Sequence, residues 1–79
     1  EAMVAEVTIP SLGVGYEVAR ALERNLPVLC LFDKKTARHI PSAMMAGNPH
    51  PKMTFVEYDD PELLRPIIEA FIDTLSILS

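Results

Sequence analysis

The residues best suited to chemistry lie in one run, Glu6-Val-Thr-Ile-Pro-Ser-Leu-Gly-Val-Gly-Tyr-Glu17. It follows an apolar stretch with the look of a strand and leads into a helical pattern. In open α/β sheets, ligands bind at the carboxyl ends of strands. Gly13 and Gly15 let a ligand approach the backbone closely. The helix start behind them offers unpaired N–H groups and a partial positive charge, which together favour a phosphate or another anion. Glu17, read as a first-turn residue, gains from the same dipole as a charged carboxylate. A charged carboxylate at a pocket floor can attack the anomeric carbon of a sugar, as in retaining glycosidases. The plainer alternative makes Glu17 a first-turn acid that pairs with Arg20 at i,i+3.

Two familiar nucleotide loops are excluded. Val18 stands where a dinucleotide fingerprint needs its third glycine, and no Gly-Lys-Ser/Thr follows as a P-loop requires. Ser11 and Ser42 are candidate phosphate contacts, though one sits in an ordinary turn and the other suits a helix N-cap. Cys30, inside Val-Leu-Cys-Leu-Phe, reads as core, since no cationic neighbour activates its thiol. His39 and His50 lie in polar or proline-rich loops and read as solvated. With one cysteine they make no metal-ligand pattern, so no metal or cofactor is expected. Met44 and Met45 can fill gaps or line an adaptable pocket. Lys34, Lys35 and Arg38 read as a solvated loop.

The elements that position these residues follow from periodicity. Residues 2–7 and 53–58 read as strands, and Val28–Phe32 is a continuous apolar run that suits a buried parallel strand. Val14, Val18, Ala21 and Leu22 mark the inner face of a helix expected over Val14–Asn25, stopped by Asn25 and Pro27. Ser42–Ala46 suits a short helix ended by Gly47. Asp60 caps a last helix with Pro61 at its first position. Its core stripe is Leu64, Ile68, Phe71, Ile72, Leu75 and Leu78, and Pro66 is expected to distort or restart its first turn. The order implies an α/β fold with a Rossmann or flavodoxin-like parallel sheet, three strands here with helices on both faces. Doubly wound domains usually have more strands, so residues 1–79 read as a partial domain whose N-terminal half is missing.

Composition sets outer bounds. About half of the 79 residues are apolar, the net charge is −4, and the acidic excess falls entirely in residues 41–79. That distribution is a poor footprint for nucleic acid, which needs clustered Lys and Arg. No apolar run reaches the roughly 18 residues of a membrane span, and no signal-peptide pattern opens the chain. One free thiol suits a reducing compartment, cytosol or nucleus. A chain this short sits near the limit of independent stability, so a partner chain or a further segment is expected.

The run Val4-Ala-Glu-Val-Thr-Ile-Pro-Ser-Leu-Gly-Val-Gly-Tyr-Glu-Val-Ala-Arg-Ala21 resembles the active-site segment of 2′-deoxynucleoside 5′-phosphate N-hydrolases. These are relatives of the nucleoside 2-deoxyribosyltransferases. The similarity continues through Leu29-Cys-Leu-Phe32 and Ser42-Ala-Met44 and weakens in the last helix. The resemblance implies a Rossmann-like homodimer that cleaves the N-glycosidic bond of deoxynucleoside monophosphates. It implies Glu17 as nucleophile at C1′ through a covalent glycosyl-enzyme, with Ser11, Gly13 and neighbouring backbone at the 5′-phosphate. Ser42 matches a serine that reaches the phosphate from the adjacent subunit, and Met44 and Gly15 line the pocket. The family's phosphate-side tyrosine and assisting aspartate are not found in this chain. Two other readings remain at this level: a deoxyribosyltransferase acting on unphosphorylated nucleosides, and a non-catalytic nucleotide-binding or interaction module.

Overall fold

The computed structural model describes residues 1–9, 11–38 and 46–78, with backbone alone for 76–78. Its elements run β1 (Met3–Glu6), α1 (Leu12–Glu23), β2 (Val28–Asp33), β3 (Met53–Tyr58), a 3-10 turn (Pro61–Leu63) and α2 (Leu64–Leu78). The strands form one parallel sheet in the order β1-β2-β3. Met3 pairs with Val28 and Glu6 with Leu31 on one side of β2, while Val28 pairs with Met53 and Asp33 with Tyr58 on the other. This is the α/β arrangement expected from the alternation of strands and helices.

The central strand explains the core. Val28, Leu29, Cys30, Leu31 and Phe32 are all buried, because side chains alternate across β2 and both of its faces are covered. On one face Val28 and Cys30 join Ala5 and the inner stripe of α1, Val18, Ala21 and Leu22. On the other, Leu29 and Leu31 join Tyr58 and Phe71, with Leu64, Ile67, Ile68 and Leu75 of α2 packed against them. Each fully buried aliphatic side chain contributes roughly 1.5–3 kcal/mol relative to exposure. Ile72, expected in the core stripe, is instead 51% exposed. The stripe is made by Ile67 beside Ile68, which turns the packed face of the helix away from position 72. The expected Leu78 core position lies outside the described side chains.

The ends of α1 differ from expectation at the start and agree at the stop. The helix begins at Leu12, two residues before the anticipated Val14. Ser11 has extended backbone angles and its Oγ accepts the Val14 N–H at 3.3 Å, which is N-cap geometry. Gly13, which suggests a loop, is therefore helical like Gly15, and neither has positive φ. At the other end Asn25 takes φ 60°, its N–H reaches Leu22 O at 2.9 Å, and Leu26 N–H reaches Ala21 O at 3.0 Å. These are the paired bonds of a Schellman stop, with asparagine in the left-handed position usually held by glycine. Leu26 then packs against the α1 core.

Before α2, the Asp60 carboxylate accepts the Glu62 N–H at 3.0 Å and Pro61 opens a 3-10 turn. The α-helix restarts at Leu64, so Pro66 falls in its first turn, where a missing donor costs least. The short helix expected over Ser42–Ala46 lies mostly outside the described residues. No helix among the described residues is long and apolar enough to cross a membrane.

Candidate active site at the start of α1

The turn after β1 carries the candidate residues. The last ladder bond, Val7 N–H to Leu31 O at 2.8 Å, ends the β1–β2 pairing. Ser11 then caps α1 and stands near Gly13, where an added Cβ would lie 3.7 Å from Ser11 Oγ. The first N–H groups of any helix lack intrahelical partners, so those of Leu12 and Gly13 point out from the helix start. The structure thus places Ser11 and Gly13 together at one exposed corner.

Glu17 is the sixth residue of α1 and belongs to its second turn. The first-turn placement is corrected here, and with it the support drawn from the dipole, which falls off within that turn. A different geometric relation replaces it. Residues four apart share a helix face, so Glu17 stands one turn above position 13. That position is Gly13, which has no side chain to fill the space. Gly15 lies on the opposite flank of the core-facing stripe, half-buried, with open space where a Cβ would sit.

The anticipated Glu17–Arg20 pair is not formed. Arg20 turns to Tyr16 instead: Nη1 donates to the phenol oxygen at 3.1 Å, and the guanidinium stands 5.8 Å from the ring centroid. Among the described residues the ion pair present is Arg65–Glu69 on α2. Glu17 is exposed, and no described side chain or backbone group bonds its carboxylate.

A network that local sequence patterns do not reveal lies beside this corner. Tyr58, at the carboxyl end of β3, has a buried ring. Its hydroxyl donates to Glu6 Oε2 at 2.7 Å, and Glu6 Oε1 accepts the Thr8 N–H at 2.6 Å. Thr8 Oγ1 accepts the Asp33 N–H at 2.8 Å. The bond to Glu6, with burial second, pushes the Tyr58 phenol up to about 12. Asp33 organises the next turn: its carboxylate accepts the N–H groups of Lys35 and Thr36 and the Thr36 hydroxyl. The hydroxyl bond is the main reason its carboxyl is held below the ordinary value. Strand parity is the signal that could have paired Glu6 with Tyr58, since both occupy the α2 face at the same end of the sheet.

The remaining candidates sort plainly. Cys30 is fully buried, burial pushes its thiol up to about 11, and its sulfur lies 3.8 Å from Met53 Sδ. It is core. His50, expected to be solvated, is half-buried, and its Nδ1 accepts the Lys52 N–H at 3.0 Å in the turn leading to β3. Asn48 Oδ1 accepts the His50 N–H at 2.9 Å and His50 O accepts the Met53 N–H at 3.0 Å in the same turn. Ser42, Met44 and His39 lie outside the described residues. An open recess lined by Lys35, Asp59, Asp60 and Pro61 sits beyond β3 and does not include Glu17. Among the described residues no cluster of three His, Cys, Asp or Glu side chains could hold a metal.

No family model matches the chain. Individual relatives do. A Methanosarcina mazei sequence assigned as a 2′-deoxynucleoside 5′-phosphate N-hydrolase is 49% identical over 75 residues, 95% of this chain and 45% of its own length. One from Nematostella vectensis with the same assignment is 50% identical over 68 residues, 81% of this chain and 46% of its own. The 5-hydroxymethyl-dUMP N-hydrolase of Danio rerio is 36% identical over 76 residues, 96% of this chain and 52% of its own. The chain spans about half the length of the curated relatives it matches.

Proposed function

This chain belongs to the 2′-deoxynucleoside 5′-phosphate N-hydrolase family, and from that premise we propose that the protein hydrolyses the N-glycosidic bond of 2′-deoxynucleoside 5′-monophosphates with Glu17 as nucleophile. The observation that carries the reading is the corner itself. A capped helix start with outward N–H groups stands one turn below a carboxylate that no described group engages, and the intervening position is glycine. An anion at the N–H groups and an electrophilic carbon at the carboxylate suit a sugar phosphate.

In this reading the 5′-phosphate rests on the Ser11 hydroxyl and the Leu12 and Gly13 N–H groups. Glu17 attacks C1′, the C1′–N bond breaks, and the base leaves with the bonding electrons and gains a proton. Water then attacks C1′, the ester bond to Glu17 breaks, and 2-deoxyribose 5-phosphate departs with the carboxylate restored. Gly15 and Met44 border the pocket, and Ser42 reaches the phosphate from the other subunit of a homodimer in the cytosol or nucleus. The group that assists the leaving base is assigned to the half of the relatives' length that this chain does not span.

The test is base release by the full-length protein from deoxynucleosides with and without the 5′-phosphate. The reading expects turnover of the phosphorylated form, little of the other, and none by Glu17→Ala. Equal turnover of both forms, with transfer to an added base in preference to water, would point to a deoxyribosyltransferase. Nucleotide binding without turnover would leave a non-catalytic module.

A further inference from the structure

We propose that Tyr58 and Glu6 are positioning residues for the phosphate-binding turn, holding Thr8, and through it the Ser11 corner, at the height the substrate requires. The inference rests on the functional reading above and extends it to residues far from the motif. Tyr58 is anchored by its ring, which is 7% exposed among Leu29, Leu31 and Phe71. An anchored phenol offers its hydroxyl at a fixed place. That hydroxyl meets one oxygen of Glu6, and the other oxygen takes the Thr8 N–H. At 2.7 and 2.6 Å, these have the short lengths of charge-assisted bonds. Thr8 is held a second time, by its side chain to the Asp33 N–H. Thr8 is thus tied by its N–H to Glu6 of β1, and through Glu6 to Tyr58 of β3, and by its side chain to Asp33 of β2, and two residues separate it from the cap Ser11.

Glu17 is set by different forces. Its helix is seated by Val18, Ala21 and Leu22 against the sheet, one to five residues beyond it. Loosening the Thr8 anchor should therefore disturb the Ser11 contact to phosphate more than the chemistry at C1′. Strand termination alone does not require a buried tyrosine to deliver its hydroxyl to that carboxylate, since the Val7–Leu31 bond already closes the ladder.

The experiment measures kcat and KM for a 2′-deoxynucleoside 5′-monophosphate with the full-length protein. Tyr58→Phe keeps the ring and deletes the hydroxyl, and Glu6→Ala deletes the link. Both should raise KM on the order of tenfold, the equivalent of weakening one charged hydrogen bond to phosphate, with kcat changed about twofold or less. Glu6→Gln should restore a near-parental KM, because its amide accepts the Thr8 N–H and donates to the phenol oxygen. Val56→Ala, a deletion beside the same core, controls for stability: it should lower the unfolding midpoint and leave KM unchanged. An active parent whose KM is unmoved by Tyr58→Phe, or moved equally by Val56→Ala, overturns this inference alone. A parent that releases no base overturns the functional reading, and this inference with it.

Discussion

Gly13→Ala separates the demands of folding from those of ligand binding at one atom. Gly13 is the second residue of α1 and its φ is negative, so alanine fits the backbone without strain. The added Cβ would meet Ser11 Oγ at 3.7 Å, an ordinary van der Waals distance. Glycine in a compatible helical position costs stability through the unfolded chain, so the replacement should stabilise by about 0.4–1 kcal/mol. The same methyl would stand one helical turn before Glu17 and crowd the N–H groups proposed to hold phosphate. Loss of one charged hydrogen bond, about 1.5–3 kcal/mol, corresponds to a fall in kcat/KM on the order of ten- to a hundredfold. Urea unfolding and base-release kinetics on the same preparation read both quantities. Higher stability with lower activity is the expected pair. Unchanged activity would refute the claim that this space belongs to the ligand, and lower stability would refute the helical placement of Gly13.

Further outcomes follow from the core, the helix stop and the titrating groups. Leu29→Ala, at a position 1% exposed in the central strand, should cost about 2–5 kcal/mol by denaturant unfolding, with the chemistry proposed for Glu17 spared where the fold survives. Asn25→Gly should raise stability by several tenths of a kcal/mol and Asn25→Ala should lower it, because φ there is 60°. Tyr58 titrates higher in the folded state than its ordinary 10, at about 12. Its contribution is therefore complete below pH 10 and lost as pH rises toward 12, and ultraviolet titration should show a late phenol that Tyr58→Phe removes. Asp33 is shifted the other way. Its contribution is present above the ordinary aspartate range and lost as acid protonates it, so Asp33→Asn should flatten the acid side of the stability profile.

Much of the architecture was legible because periodicity and burial agree. Val28–Phe32 reads as a buried strand from five consecutive apolar residues, and it forms β2 between two helical layers. Asn25 reads as a helix stop, and it takes the left-handed angle. The start of α1 was misplaced because Pro10, Ser11 and Gly13 argue for a loop up to Gly13, whereas the capping bond of Ser11 outweighs the weak helical propensity of Gly13. That shift moved Glu17 from the first turn to the second and replaced a dipole relation with a spatial one to Gly13. The link between Glu6 and Tyr58 spans 52 positions and depends on strand order and register. Local patterns carry neither. Ile72 was misassigned because helical spacing admits two adjacent stripes, and packing chose the one through Ile67.

The most direct test is to quench the full-length protein during turnover of a 2′-deoxynucleoside 5′-monophosphate and locate any covalent adduct by peptide mass spectrometry. Glu17 as nucleophile predicts one 2-deoxyribosyl 5-phosphate group on the peptide holding residues 12–20, absent from Glu17→Ala. Rapid base release with an unmodified Glu17, and an undiminished rate in Glu17→Ala, would contradict it.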